Sequence, residues 1–388
     1  MLSHLAKLIE PFHVMELVKQ ADLLEQQGRS IIHLSIGEPD FGVPEPVLQA
    51  HQRALRDGKT RYTPALGLPA LREAVAHHYL HTFHVKVPAE QVVITAGGSA
   101  ALLYACLALI NPEQGVLLTD PGYPCNKTFV MAAQGIPQFV PLEEHKNFQP
   151  AWSDLAQHWQ SNTAGAVLAT PSNPTGTQID PKAMQGILAG LAARRGFLIV
   201  DEIYQSLCYG TPARSVLQLS GAPSTGQALV VINSFSKYFG MTGLRLGWMV
   251  VPPDLVAPVE RLAQNLSICP SAPAQWAALA CFEPDTLSLC ELRRQEFERR
   301  RDFMLKALPK AGIAVNSSPD GAFYLYTQSP YNSDQYCKDL LEGAGVCAIP
   351  GKDFSRMHGA NMMRWSYANA LDRLEEAMHR LQQFNTRA

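Results

Sequence analysis

The most informative part of this 388-residue chain is the segment NSFSKYFGMTGLRLG at positions 233–247, which continues the apolar run Val230 to Ile232. The run predicts a buried strand, and the segment after it encloses Lys237 between small and aromatic residues. A lysine that is removed from water has a lowered pKa and becomes a nucleophilic amine able to form a Schiff base. Three side chains that could donate hydrogen bonds to a phosphate stand nearby, namely Ser234, Ser236 and Arg245.

Upstream of this segment, short apolar runs alternate with helical patterns. Strands are predicted at 92–95, 116–119, 166–169 and 197–200, and helices at 99–110, 123–134 and 181–194. Runs of Val, Ile and Leu without polar alternation are typical of strands that are covered on both faces. The alternation of strands with helices predicts an α/β fold with a mostly parallel central sheet flanked by helices.

The pattern changes after Pro252. Helices are predicted at 254–266, 274–282, 287–308 and 371–384, with short strands at 313–315 and 322–326. We therefore expect a smaller α+β domain after the large one. The predicted organisation is an N-terminal segment, 1–45, that packs with the small domain, a large domain, 46–270, that contains the Lys237 segment, and a small C-terminal domain, 271–388.

Composition limits the classes of function. Lys and Arg number 32 and Asp and Glu 34, so the net charge is −2, and we expect neither a nucleic-acid nor a membrane partner. The longest apolar run, Ala100 to Ile110, is shorter than the roughly 18 residues that a spanning helix needs. We expect no signal peptide, and the eight irregularly spaced cysteines are typical of free thiols in a reducing compartment. These features predict a cytoplasmic protein.

Ligands of open α/β sheets bind beyond the carboxyl ends of the strands, so the residues that follow each strand are informative. Gly98 and Ser99 open a helix and could cradle a phosphate, or form a glycine-rich turn with Ser99 as the helix cap. Tyr123 could stack on a flat ring or be a turn tyrosine. Asn173 is aimed by flanking prolines or belongs to a structural turn. Asp201 needs a cationic partner if it is buried, or it caps a following helix.

An amine, an acid, an amide, a stacking ring and a phosphate cradle are the groups that pyridoxal phosphate requires. The chain also carries several longer matches: GEPDF at 37–41, RYTP at 61–64, NPTG at 173–176, DEIY at 201–204, SFSK at 234–237, GAFY at 321–324 and MRWSYA at 363–368. With these segments, in this order, the sequence resembles the fold-type I pyridoxal-phosphate enzymes, specifically the class I and II aminotransferases. The resemblance extends from about residue 30 to about residue 385.

The resemblance implies roles in cofactor chemistry. Lys237 would bind the cofactor's aldehyde as a Schiff base and later move the proton between Cα and C4′. Asp201 would pair with the pyridinium nitrogen, and Tyr204 and Asn173 would hydrogen-bond the phenolic oxygen. Tyr123 would stack on the ring. The phosphate would be held by Gly98, Ser99, Ser234, Ser236 and Arg245.

The resemblance also implies how substrate and subunits are arranged. Arg364 would bind the substrate α-carboxylate as a bidentate fork, with help from the Gly37 backbone and Asn173. Tyr62 in this family reaches the phosphate of the neighbouring subunit. We therefore expect a homodimer with shared active sites.

The expected activity is transfer of an amino group between an L-amino acid and a 2-oxo acid by a ping-pong mechanism, with glutamate and 2-oxoglutarate as one pair. The alternative is a C–S β-lyase of the same fold. A ligand-sensing regulator with a DNA-binding domain is not expected, because the matches begin near Ile36. Some acidic-substrate relatives carry a lysine in place of Ser99 and a tryptophan in place of Tyr123, which weakens an aspartate assignment.

We predict no metal site. His77, His81 and His84 recur at helical spacing, but no cysteine or carboxylate joins them at ligand spacing, so we interpret them as an exposed helix face. The mixture of Arg and Glu over 291–301 indicates an ion-paired exposed helix.

Overall fold

A computed structural model describes residues 2–10 and 13–387 of the chain. The helices are α1 (His4–Leu8), α2 (His13–Gln26), α3 (Glu45–Arg56), α4 (Pro69–Phe83), α5 (Gly97–Leu109), α6 (Cys125–Ala132), α7 (Trp152–Gln157), α8 (Pro181–Ala193), α9 (Leu217–Ser220), α10 (Pro253–Leu266), α11 (Ala272–Ala278), α12 (Pro284–Lys310), α13 (Ser333–Ala344) and α14 (Leu371–Arg387). The strands are β1 (Ile32–His33), β2 (Val92–Thr95), β3 (Gly115–Asp120), β4 (Ile136–Pro141), β5 (Thr163–Ala169), β6 (Phe197–Asp201), β7 (Leu229–Ser234), β8 (Gly247–Val250), β9 (Tyr324–Gln328), β10 (Val346–Cys347), β11 (Ile349–Pro350) and β12 (Met362–Ser366).

The largest sheet has the strand order β2-β8-β7-β6-β5-β3-β4. Strands β4, β3, β5, β6 and β7 pair in parallel, whereas β8 is antiparallel to both of its neighbours. The prediction of a mostly parallel central sheet is therefore confirmed. Strands β4 and β8 were not among the predicted strands. Prolines at both 137 and 141 interrupt the pattern of β4, and proline is tolerated there because β4 is an edge strand.

Helices cover both faces of this sheet, as the continuous apolar runs predict. Along β7, Val230 and Ile232 pack into the cluster that contains α5 and α10. The intervening residue Val231 packs on the opposite side, in the cluster that contains α4 and α8. Successive side chains of a strand point to opposite faces, so this division shows a core on each side of the sheet.

The chain after α11 builds two smaller sheets, and the N-terminal segment joins one of them. Strands β11, β12 and β9 form an antiparallel sheet, and β1 pairs in parallel with β10. Helix α2 places Leu17 and Ala21 in the core cluster shared with α12, α13 and α14. The domain boundaries at 45/46 and 270/271 stay a prediction.

Two local predictions are wrong. Residues 313–315 form no strand; they follow the end of α12, and Ile313 is buried in the core instead. The predicted strand 322–326 begins only at Tyr324. The arginine-rich helix, α12, is ion-paired as expected, but Arg300 on it is only 4% exposed and binds Asp40 at 2.7 Å and Glu296 at 3.0 Å.

All eight cysteines are free thiols, six of them buried. The predicted histidine face is exposed at His77, His81 and His84. None of the described helices is both long enough and apolar enough to cross a membrane.

Candidate active site

Most of the predicted site residues lie at one edge of the large sheet. Asp201 is the last residue of β6 and Ser234 the last of β7, and Asn173 follows β5 by a short loop. Because β8 is antiparallel to both β2 and β7, β2 runs in the same direction as β7, so the start of α5 lies at this edge too. The carboxyl ends of the strands therefore gather the side chains, as the topology requires.

Two adjoining cavities open at this edge. The larger, of about 460 Å³, contains Gly37, Asn173, Tyr204 and Arg364 in its wall. The smaller, of about 320 Å³, is lined by the predicted phosphate residues: Gly98, Ser99, Ser234, Ser236 and Arg245. Both cavities share the same central residues: Ile36, Gly37, Tyr123, Asp201, Ile203 and Lys237. A ligand whose ring lies between the two cavities could thus place an anionic group in the smaller cavity and contact a substrate in the larger one.

Lys237 lies where the two cavities meet. Its Nζ donates a hydrogen bond to the Gly37 carbonyl at 2.6 Å and lies 5.8 Å from the centroid of the Tyr204 ring. Burial lowers the pKa of the amine to about 8, although Glu38 and Asp201 partly oppose the shift. A substantial fraction of the amine is therefore neutral near physiological pH, as a nucleophile that forms a Schiff base must be.

Asp201 supplies a buried carboxylate, 3% exposed. Burial raises its pKa to about 6, although a hydrogen bond from the Ile203 amide at 3.1 Å and the charge of Lys237 act in the opposite direction. The bond from Ile203 also shows that Asp201 caps the local turn. A buried carboxylate is stabilised as an anion by a cationic partner, and a protonated pyridine nitrogen is such a partner.

The residues that line the smaller cavity could hold an anion. Helix α5 begins at Gly97, so Ser99 lies in its first turn rather than at its cap, and the free N–H groups of that turn favour a phosphate. Arg245, held at φ 49° with Nη1 donating to Thr242 O at 3.0 Å, closes the cavity. A Cβ on Gly97 would come within 2.7 Å of Arg245 Nη2, so only glycine leaves this guanidinium in place.

Arg364 on β12 is 5% exposed and has a guanidinium prepared for an anion. Nη1 donates to Asn173 Oδ1 at 3.0 Å and Nη2 to the Ser35 carbonyl at 2.6 Å, whereas the buried Nε has no partner among the described residues. The guanidinium carbon lies 4.4 Å from the ring centroid of Tyr324 and 4.7 Å from that of Phe354, so the group packs against both rings. An unsatisfied donor on a fixed, planar arginine fits a carboxylate.

Aromatic residues complete the walls. The hydroxyl groups of Tyr204 and Tyr324 are 2.8 Å apart, and burial raises the pKa of both phenols. Tyr123 is half-buried and lines both cavities. Tyr62 is the one predicted residue that the protomer does not bring to the site: it is 81% exposed and lines neither cavity.

Some residues in the walls of the two cavities were not predicted from the sequence. Phe354 carried no recognisable signal, because it lies in a turn outside the segments that match the family, although Arg364 follows ten positions later. Tyr324 lies within the GAFY segment, so the sequence placed it in the family pattern without giving it a role. The apolar side chains Val14, Met15 and Val18 of α2 also line the larger cavity, and no pattern in the sequence indicated this.

The donor set fits pyridoxal phosphate. An amine of lowered pKa, a buried acid, an anion cradle that a Cβ at Gly97 would disturb, and the orphaned Nε of Arg364 correspond to its aldehyde, its pyridine nitrogen, its phosphate and the carboxylate of a substrate. Fold and site together define a fold-type I pyridoxal-phosphate enzyme.

Known proteins with similar sequences and structures belong to the same class of enzyme. The family Aminotransferase class I and II matches residues 29–381. The chain is 36% identical over 377 residues to a valine–pyruvate aminotransferase of Mycobacterium tuberculosis, covering 96% of each chain, and 32% identical over 371 residues to an aspartate aminotransferase of Thermotoga maritima, covering 95% of each. The crystal structure of an aminotransferase from Mycobacterium tuberculosis superposes with a TM-score of 0.94 at 33% identity over the whole of both chains.

The chain belongs to the class I and II aminotransferases. The predicted family, fold, cofactor and transaminase activity are confirmed, and small-molecule amino acid and 2-oxo acid substrates fit an enzyme of this family. The alternative of a C–S β-lyase gains no support from these relatives.

Proposed function

We propose that this enzyme transfers the amino group of an L-amino acid with an apolar side chain to a 2-oxo acid by a ping-pong mechanism. The observation that carries this proposal is the lining of the larger cavity. Besides Arg364 and the residues assigned to the cofactor, the lining is mostly apolar and includes Val14, Met15 and Val18. The charged side chains among the described residues of this lining are Asp201, Lys237 and Arg364. Lys237 is assigned to the cofactor and Arg364 to the α-carboxylate, so that set contains no further cation to bind an acidic side chain.

Arg364 is proposed to hold the α-carboxylate. Two of its N–H groups already bind Asn173 and Ser35, so its plane is fixed before substrate arrives. The remaining donors, including Nε, would form the charge-assisted bonds. A carboxylate bound there would lie in the cavity that Lys237 also lines, which supports the proposal that the substrate Cα faces Lys237.

Lys237 is proposed to bind the cofactor and to move the proton at Cα. Pyridoxal phosphate bound there supplies an electron sink for the charge left when that proton leaves. Asp201 is proposed to keep the pyridine nitrogen protonated, which makes the sink effective. Tyr204 and Asn173 are proposed to donate hydrogen bonds to the phenolic oxygen, and Tyr123 is proposed to stack on the ring.

Glutamate and 2-oxoglutarate remain proposed as one substrate pair, a proposal supported by the family resemblance. The apolar lining favours a donor such as valine or leucine for the other half-reaction. A relative named as a valine–pyruvate aminotransferase makes pyruvate the acceptor to compare with 2-oxoglutarate.

A second copy of the chain is proposed to complete each site. Tyr62 is exposed, and its neighbour Thr63 accepts a hydrogen bond from Gln275 of α11 at 2.9 Å. Exposed apolar side chains end the preceding helix at Leu266 and follow it at Ile268. These features support a subunit interface around Tyr62, which sedimentation velocity would test.

The test of the substrate proposal is a set of single half-reactions. Enzyme loaded with pyridoxal phosphate is mixed with valine, leucine, aspartate or glutamate, and the change in cofactor absorbance is followed. We expect valine and leucine to react with a kcat/KM at least about tenfold above that of aspartate, since one poorly accommodated charged group costs more than 1.4 kcal/mol. Faster aspartate turnover would overturn the proposal, and ammonia with pyruvate from a cysteine conjugate would favour the lyase.

A matched pair of variants tests the lining directly. Val18→Lys adds a cation to the cavity, whereas Val18→Met adds only bulk. We expect Val18→Lys to raise the ratio of aspartate to valine kcat/KM by about fivefold, the effect of an exposed ion pair worth about 1 kcal/mol, and Val18→Met to leave it unchanged. Equal ratios in both variants would show that α2 does not face the substrate side chain.

A further inference from the structure

Tyr324, which no motif gave a role, contacts two of the proposed site residues at once. It lies on β9 and is 1% exposed. The face of its ring lies 4.4 Å from the Arg364 guanidinium, and its hydroxyl is 2.8 Å from that of Tyr204. The carboxylate-binding arginine and the tyrosine proposed to face the phenolic oxygen are thus joined through one side chain.

The position of Tyr324 is fixed from a third direction. A Cβ on Gly37 would overlap the Tyr324 hydroxyl, so the phenol is packed directly against the Gly37 backbone. The carbonyl of Gly37 in turn accepts the hydrogen bond from Lys237. The Tyr324 ring therefore cannot rotate or slide without moving groups that contact the cofactor or the substrate.

The hydroxyl pair has a directional consequence. Each phenol carries one proton, so only one of the two can donate in their mutual bond. When Tyr324 donates to Tyr204, the proton of Tyr204 is free to be donated into the cavity. When the direction is reversed, Tyr204 has no proton left for the cofactor. The partner of Tyr204 thus decides whether Tyr204 can act as a donor there.

We propose that Tyr324 is a positioning residue for amino transfer: its ring fixes the plane of Arg364, and its hydroxyl donates to Tyr204 and so directs the Tyr204 proton toward the cofactor. The proposal rests on the proposed roles of Arg364 and Tyr204. It assigns separate effects to the two parts of one side chain, and these effects can be measured separately.

Tyr324→Phe keeps the ring and removes the hydroxyl. We expect its KM for the amino donor to stay within twofold of the wild-type value and its kcat to fall by about threefold to tenfold, the net value of one neutral hydrogen bond. The pH at which the absorbance of the bound cofactor changes should also shift relative to wild type. Tyr324→Leu, which removes the ring as well, should in addition raise KM, because Arg364 then packs against Phe354 alone of these two rings.

A double-mutant cycle tests whether the hydroxyl acts through Tyr204. If it does, Tyr324→Phe added to Tyr204→Phe should cause no further loss of kcat, because the group that it directs is already gone. Losses that multiply, or a Tyr324→Phe enzyme with wild-type kcat and pH profile, would overturn the proposal. Cofactor content and thermal unfolding of each variant show that it is folded and loaded.

Tyr326→Phe is the matched control. Tyr326 lies on the same strand and is equally buried, but its hydroxyl has no hydrogen-bond partner among the described residues and it lines neither cavity. We expect wild-type kinetics from this variant. If wild-type enzyme itself fails to transfer amino groups, the proposed function fails. If wild type is active and Tyr324→Phe behaves like Tyr326→Phe, only the role of Tyr324 fails.

Discussion

Replacing Arg364 by lysine keeps the positive charge and removes the planar fork. In the structure the guanidinium packs against the rings of Tyr324 and Phe354, and two of its N–H groups donate hydrogen bonds to Asn173 and Ser35. A lysine ammonium at this position could reach a carboxylate with a single donor direction and would leave these partners unsatisfied.

The expected loss follows from these contacts. One charge-assisted hydrogen bond to the carboxylate is worth about 1.5–3 kcal/mol. Stacking of a cation on an aromatic ring adds about 0.5–1 kcal/mol. A total of about 2–4 kcal/mol corresponds to a kcat/KM lower by about 30-fold to 1,000-fold. The effect should appear for every amino donor, because all of them carry the α-carboxylate.

The assay is the single half-reaction of Arg364→Lys enzyme with several amino donors, followed by the absorbance of the bound cofactor. Arg299→Lys serves as the control, because Arg299 is 62% exposed and its ion pair, with Glu296, lies on the helix surface. Wild-type affinity for pyridoxal phosphate should be retained in both variants. A kcat/KM within threefold of wild type for Arg364→Lys would refute the assignment of Arg364 to the α-carboxylate.

Three further outcomes follow from the same structure. Because the pKa of Lys237 is lowered to about 8, the neutral amine becomes the main form above that pH. The rate at which apoenzyme reacts with the cofactor aldehyde should therefore rise with pH between about 7 and 9 and then level off. A rate that continues to rise toward pH 10.5 would contradict the lowered pKa. Gly97→Ala should weaken cofactor binding, because the added Cβ displaces Arg245. Gly221→Ala is the control: Gly221 also has a positive φ but lies in open space, so this variant should change stability alone. Equal cofactor affinities in the two variants would contradict the assignment of Gly97 and Arg245 to the phosphate site. Arg300→Met should lower the free energy of unfolding in urea by about 2–4 kcal/mol, because the partly buried Asp40 loses its ion pair and Glu296 keeps only its pair with Arg299; an unchanged midpoint would show that Arg300 adds no stability through these pairs.

The central sheet was predictable because its strands are continuous apolar runs. Strand β6 reads FLIVD and is buried along its whole length, so its pattern requires no knowledge of its neighbours. Strand β4 was missed because prolines interrupt it, and an edge position, which the sequence does not show, is what permits them. Residues 313–315 have the composition of a strand, but they pair with no strand among the described residues, and the Ile313 amide donates to the Leu308 carbonyl at the end of α12.

The candidate site was predictable where its residues follow strands. Lys237 and Asp201 both follow buried runs, and the topology of a parallel sheet brings such positions to one edge. The contacts of α2 were not predictable, because they join distant parts of the chain: the Val14 amide donates to Asp353 Oδ2 at 2.9 Å across a separation of 339 positions. The burial of Arg300 was missed for the same reason, since its partner Asp40 lies in the N-terminal segment.

The most direct test of the central claim is one turnover of the loaded enzyme with a single apolar amino acid and no acceptor. Valine should convert the bound cofactor fully, with one 2-oxo acid released per site and no ammonia. Lys237→Ala should abolish this conversion. Borohydride reduction of wild-type enzyme should attach the cofactor to the peptide that contains Lys237. Release of ammonia in place of cofactor conversion, or attachment of the cofactor to another lysine, would contradict the account.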